Sequence, residues 1–168
     1  TEFHNILKNK NGTEIEDRRK FALKAFNISS DYDTAIFSYF DDNKTALKFS
    51  IPNANSLRYG ENPHQNGTFY GNLESFFEQL NGKALSYNNL LDIDAAIHLI
   101  SEFEDTTFAI LKHNNTCGIA SRDILKDAYI AALAADPISA FGGILVCNEE
   151  IDKQTAEEIN TLFCEIII

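Results

Sequence analysis

Apolar residues recur at helical intervals over residues 15–27 (Ile15, Phe21, Leu23, Ala25, Phe26) and again over 31–40, with Asp31 or Asp33 placed to cap the second stretch. This spacing predicts a helical hairpin. Ala46–Ile51 alternates as a short strand does, and residues 52–67 are rich in Asn, Pro and Gly without either period. They read as a long loop, a kind of segment that often carries function in compact domains. Thr68–Tyr70 predicts a strand, Ser75–Leu80 a short helix, and Leu90–Phe103 a longer helix with Leu91, Ala95, Leu99 and Phe103 on its apolar stripe. Phe108–Leu111 is an apolar run that stops at Lys112. Ile124–Ala135 reads as an Ala-rich helix, Gly143–Val146 as a buried strand, and Lys153–Phe163 as a helix leading into a terminal strand. This alternation from residue 88 onward predicts a layered α/β domain, helices covering a sheet. The turn-prone Asp41-Asp42-Asn43 separates residues 1–45 from 46–168.

Composition narrows the function classes. The 168 residues, 44% hydrophobic and 23% charged, suit a folded chain of one domain, or one domain and part of another. A net charge of -11 opposes binding to a phosphate backbone, and Arg18-Arg19-Lys20 lies in helical spacing as a solvated face, so nucleic acid is not an expected partner. Three cysteines without a CxxC pair, and an N-terminus unlike a signal peptide, predict reduced thiols and a cytoplasmic setting. No apolar run reaches the roughly 18 residues of a membrane span. Thr1 is not an initiator methionine, and Glu165–Ile168 ends on a β-branched run with no polar cap, which together predict an excerpt of a longer polypeptide.

Candidate chemistry falls in a few stretches. In Leu57–Gln65, Arg58 supplies a planar charged fork suited to phosphate, Gly60 permits close backbone approach and Pro63 stiffens the turn; a purely structural loop whose Arg pairs with an acid is the alternative. In Leu111–Gly118, Lys112 and His113 follow a buried strand and can share a site only if the strand ends or kinks there, which Asn114, Asn115 and Gly118 favour. A lysine beside a histidine offers a fixed charge for an oxyanion and a group that moves protons near neutral pH. His113 with Cys117 is too few ligands for zinc, so no metal is assigned. In Asp136–Gly143, Phe141 could stack on a flat heterocycle, or the small residues could serve tight helix-to-strand packing. Gly82–Asn89 reads as a turn entering a helix, and no phosphate-loop motif occurs.

In order and spacing, RYGENPHQ, GKALSYNNLLDIDAA, LKHNNTCGIA and DPISAFGGI resemble the AICAR transformylase/IMP cyclohydrolase family of purine biosynthesis. RRKFALKAFNISSDYDTAIFSYF is similar to the end of that family's cyclohydrolase region and its link to the transformylase. The resemblance implies a cytidine deaminase-like fold without catalytic zinc, with residues 1–45 ending the cyclohydrolase region and 46–168 opening the transformylase. It implies formyl transfer from the co-substrate 10-formyltetrahydrofolate to the 5-amino group of AICAR (5-aminoimidazole-4-carboxamide ribonucleotide), a parent that also closes the product to IMP, and a site at a homodimer interface. By motif, Arg58 and Tyr59 would hold the nucleotide, Lys112 would stabilise the oxyanion and His113 would handle the amine proton. Phe141 and Gly142 would border AICAR, and Glu165 would contact folate. Thr116 stands where the family usually has Pro. Since the family's remaining site residues lie outside the chain, the excerpt alone is expected to be inactive, or nearly so. The rival readings are a non-catalytic nucleotide-binding or dimerisation module, and a metal-dependent deaminase, which the lack of a paired-Cys signature disfavours.

Overall fold

The structure, a computed structural model, describes residues 1–10 and 12–168. It comprises two units, one formed by Thr1–Asn55 with Phe69–Gln79 and the other by Ser56–Thr68 with Leu80–Ile168.

In the first unit α1 (Glu2–Lys10) lies against α2 (Ile15–Phe40). Glu2 pairs with Lys20 and, at 2.7 Å, with Lys24, and hydrogen bonds from these two ammonium groups hold its carboxyl down to about 2. Phe3 meets the Phe21 ring edge-on at 5.2 Å. The predicted hairpin is instead one continuous helix. Residues 27–31 contain neither Pro nor Gly, and Ser30 and Ser38 donate their hydroxyls to the carbonyls of Asn27 and Thr34, so side chains that often stop a helix are satisfied within it. Asp31 and Asp33 therefore sit inside α2 rather than at a start. Asp41 ends it, accepting from the Thr45 and Ala46 amides at 2.9 and 3.2 Å, and these bonds, that from Thr45 foremost, hold its carboxyl below the usual aspartate range.

Residues 46–51 form no strand. Leu47 and Phe49 are exposed, and Lys48 lies over the Phe37 ring at 4.1 Å rather than in a ladder. β1 (Ala54–Ser56) and β2 (Thr68–Tyr70) form a two-stranded ribbon. The helix predicted at 75–80 reduces to one tight turn, Leu73–Ser75, because so short a segment cannot offset the cost of helix nucleation without a buried face.

The second unit is the layered α/β part. It runs α3 (Tyr87–Ile100), β3 (Thr107–Lys112), β4 (Asn115–Ser121), α4 (Leu125–Ala135), β5 (Gly143–Cys147), α5 (Lys153–Ile159) and β6 (Cys164–Ile167). The sheet order is β4-β3-β5-β6, with β3 antiparallel to both neighbours and β5 parallel to β6. Because β3 and β5 are covered on both faces, alternate residues feed two cores. Phe108, Ile110 and Leu145 pack with Leu125, Ala128, Tyr129 and Ala132 of α4 and with Ile159 of α5. Ala109, Leu111, Ile144 and Val146 pack with Ala96 and Ile100 of α3. Each large apolar side chain so buried contributes roughly 1.5–3 kcal/mol, and the Phe108 and Tyr129 rings add an edge contact at 5.0 Å.

Four details depart from the sequence reading. α3 starts at Tyr87 rather than Leu90 because Ser86 caps it, the Ser86 hydroxyl accepting from the Asn89 amide at 3.2 Å. Its buried positions are Asn89, Ile93, Ala96 and Ile100, while Ala95 and Leu99 flank the core, Leu91 is exposed and Phe103 lies beyond the helix. β4 is a strand that the sequence conceals, since Asn115-Thr116-Cys117-Gly118 shows no apolar alternation. It carries a bulge: Ile110 opposes Gly118 and Leu111 opposes Thr116, leaving Cys117 as the extra residue. Gly118 thus belongs to a strand and not to a turn. α5 stops at Ile159, short of Phe163, whose carbonyl accepts from Gly142 N–H at 2.7 Å as the chain extends into β6.

Candidate functional site

The last pair of the β3–β4 ladder is Lys112 with Asn115, which leaves His113 and Asn114 as a two-residue turn. Their φ values are 52° and 60°, the left-handed pair of a type I′ hairpin. Asparagine adopts this conformation readily, whereas a histidine there is uncommon and costs roughly 1–2 kcal/mol. Support comes from α3, where Asp92 Oδ1 accepts from Asn114 N–H at 3.0 Å, and from Asn115, whose side-chain amide donates to the His113 carbonyl at 2.8 Å. The strand thus ends where the Lys-His pair requires, freeing the two side chains from strict alternation. Lys112 is half-buried, its Nζ donating to the Phe141 carbonyl at 2.7 Å, and His113 is exposed.

The segment that carries Phe141 is shaped by its own turns. Asp136 accepts from Ser139 N–H at 3.0 Å, and its bonds from Ser139 hold its carboxyl below the ordinary range. Gly142 is left-handed at φ 71°. A Cβ on Gly143 would lie 2.7 Å from the Leu111 carbonyl oxygen, so this glycine serves the close approach of β5 to β3 rather than helix-to-strand packing. Phe141 itself is 59% exposed, tilted against the Phe163 ring at 5.4 Å.

Arg58 and Tyr59 hang on the segment entering α3. Arg58 N–H donates to the Leu85 carbonyl at 2.8 Å, Tyr87 N–H to the Tyr59 carbonyl at 3.1 Å, and the Asn88 amide to the Glu61 carbonyl at 3.0 Å. The Arg58 guanidinium lies over the Tyr59 ring at 4.8 Å and donates to the Tyr59 hydroxyl at 3.0 Å. The acid partner expected of a purely structural arginine does not pair with it among the described residues. Glu165, on β6, accepts from the Asn89 side-chain amide at 3.1 Å.

The register pairs Leu111 with Ile144 and Gly143 with Cys164, so the end of β3 and the starts of β5 and β6 share one end of the sheet. Lys112, His113, Phe141, Gly142 and Glu165 all lie on or beside those strand ends. Sequence reasoning singled out these candidates but not the frame behind them. Ser86, Asn88, Asn89 and Asp92, in a stretch with no evident chemistry of its own, tie the Arg58 loop, Glu165 and the Lys-His turn to one helix. The available signal is the Ser86-x-x-Asn89 spacing, a capping box with Asn in the place usually held by Glu or Gln.

Such a set can grip a phosphate through a guanidinium, bear a developing negative charge against an ammonium and take a proton on an imidazole. An open cavity of about 480 Å³, lined by Ile151, Ile159, Asn160, Leu162, Phe163 and Ile167 among others, borders α5 and β6 and brings no charged group. Among the described residues no three His, Cys, Asp or Glu side chains cluster so as to hold a metal, and burial pushes the thiols of Cys117, Cys147 and Cys164 up. No helix among those residues is long and apolar enough to cross a membrane.

Comparison with known proteins gives a consistent picture. The chain is 59% identical over 157 residues, 93% of its length, to the bifunctional purine biosynthesis protein PurH of Bacteroides thetaiotaomicron. It is 42% identical over 174 residues to that of Acetivibrio thermocellus and 43% over 176 residues to that of Persephonella marina, each covering 96% of this chain. It spans 31% of the first relative and 34% of the other two, about a third of their length. The sequence pattern of the AICARFT/IMPCHase bienzyme runs over residues 1–168, and with matches this extensive the chain belongs to that family.

Proposed function

We propose that residues 46–168 are the N-terminal part of an AICAR transformylase domain, that residues 1–45 end the cyclohydrolase region and its helical linker, and that the parent protein transfers a formyl group from 10-formyltetrahydrofolate to the 5-amino group of AICAR. The observation that carries this reading is the Lys112–Phe141 hydrogen bond, which sets a positive charge beside the His113 turn at the polar end of the sheet. An amine conjugated to a carboxamide is a weak nucleophile, so it needs a proton acceptor and a stabilised tetrahedral oxyanion. His113 takes the proton as the amine nitrogen bonds to the formyl carbon. Lys112 faces the oxygen that becomes negative, and the charge collapses as the bond to the folate nitrogen breaks and that nitrogen is protonated. Arg58 and Tyr59 hold the nucleotide, Phe141 and Gly142 border the heterocycle, and Glu165, oriented by Asn89, contacts folate.

The same parent closes the formylated product to IMP with residues outside this chain and works as a cytoplasmic homodimer. The 168-residue chain alone is expected to be inactive in both reactions, because it spans only about a third of its relatives. The test is formyl transfer by the full-length protein with AICAR and 10-formyltetrahydrofolate. His113→Ala and Lys112→Met should each lower turnover by about 100-fold or more with the fold intact. A folded wild-type parent without transfer would sink the reading and favour a non-catalytic nucleotide-binding or dimerisation module.

A further inference from the structure

The His113-Asn114 turn has two consecutive left-handed residues, neither of them glycine, at the tip of a hairpin whose side chains are exposed. Packing of the turn against a core does not hold it. Its backbone is gripped from α3, where Asp92 Oδ1 accepts from Asn114 N–H at 3.0 Å. With the Asn114 side-chain amide turned so that its nitrogen faces acceptors, that nitrogen donates to the same Asp92 oxygen at 3.0 Å and to the Leu91 carbonyl at 3.2 Å. The helix bearing the carboxylate is fixed, capped at Ser86 and Asn89 and buried through Ile93, Ala96 and Ile100.

We propose that Asp92 is a positioning residue. Its carboxylate locks the left-handed turn so that His113 leaves the strand beside Lys112 in one orientation. The idea rests on the reading of His113 as the proton acceptor, but its structural half can be tested without that reading. The competing role is a general charge effect on α3, where Asp92 lies past the first turn, and that would leave the His113-Asn114 turn alone. What matters at the turn is an acceptor oxygen, so Asp92→Asn should keep the turn and Asp92→Ala should release it. Asp94, on the same helix and paired with His98 at 3.6 Å, supplies a charge control that does not grip the turn.

The first measurement is nuclear magnetic resonance on the 168-residue chain. Positive φ brings a residue's amide and α protons close, giving strong intraresidue cross-relaxation at His113 and Asn114. In Asp92→Ala those signals should weaken and exchange of the Asn114 amide should speed up by about tenfold or more, with the remaining amide dispersion unchanged. Asp92→Asn and Asp94→Ala should look like wild type. If Asp92→Ala does not fold, Asp92→Ser carries the same expectation, because its hydroxyl falls one atom short of the carboxylate oxygen. In the full-length protein Asp92→Ala should lower kcat by about 10–100-fold while KM for AICAR stays within about twofold, and Asp92→Asn should recover most of kcat. Unchanged turn signals and exchange in the alanine variant would overturn the proposal, as would an asparagine variant that loses the turn as fully as alanine does. A wild-type parent without formyl transfer would remove the catalytic reading alone, and the spectra would still decide what Asp92 does to the turn.

Discussion

Replacing Gly118 with alanine should be among the most damaging single-methyl changes in this chain. A Cβ at that position would lie 1.9 Å from the Ala132 carbonyl oxygen, 2.9 Å from its carbonyl carbon and 3.0 Å from the Ala135 Cβ. Carbon and oxygen rest at about 3.3 Å or more, so β4 and α4 would have to part by more than about 1 Å. Neither can yield cheaply. β4 is held by its ladder to β3 next to the bulge, and α4 is seated by Ala128, Tyr129 and Ala132, each at most 1% exposed. Alanine in place of a strand glycine recovers about 0.5–1 kcal/mol of chain entropy, less than the roughly 3 kcal/mol at the upper end of overpacking costs. A net loss of about 2 kcal/mol or more corresponds to a fall in Tm of at least about 8–16 °C for a unit of about 100 residues. Urea unfolding followed by circular dichroism measures it, with Thr116→Ala, exposed on the same strand, as the control. An unfolding midpoint for Gly118→Ala equal to that of the control would refute the close approach of β4 to α4.

Asn148→Ala should destabilise the same unit by about 1–3 kcal/mol, read as a lower urea midpoint. Its side chain accepts from Thr107 N–H at 2.8 Å and donates to the carbonyls of Phe103 and Asp105 at 3.1 and 2.7 Å, closing the loop before β3. Asp152 caps α5, accepting from Thr155 N–H at 2.7 Å, and this bond foremost holds its carboxyl below the usual range. A carboxyl whose folded-state pKa is depressed stabilises the fold above its unfolded value and loses that contribution as pH falls through the folded one. Stability should therefore decline on acidification from about pH 5 downward, with a shallower slope in Asp152→Asn, and equal slopes in urea titrations of the two chains would contradict the cap.

The layered core was legible where one kind of residue dominated. The alanine run before Asp136 makes α4, and the apolar runs at Phe108–Leu111 and Gly143–Val146 make the central strands, each within about a residue of the reading. β4 was not, because a bulge and a buried glycine erase the period that marks a strand. The supposed hairpin at 15–40 failed for a different reason: serine and aspartate favour helix ends in general, yet here their side chains bond within the helix or face solvent. At the candidate site, residues with reactive side chains announced themselves as compact motifs. Asn89 and Asp92 did not, since their partners lie 76 and 22 positions away and the bonds appear only after folding.

The hairpin that carries Lys112 and His113 closes through a two-residue turn, whereas Glu165 reaches its place only when β6 pairs in parallel with β5 and meets Asn89. Local hairpins form within about 1–10 μs, while parallel pairing must first close a long loop. The two sides of the candidate site therefore rest on pairings of different sequence range, one local and one across a crossover. Mild denaturant that frays β6 should detach the acidic side first, while Asp92 on α3 keeps its hold on the His113-Asn114 turn.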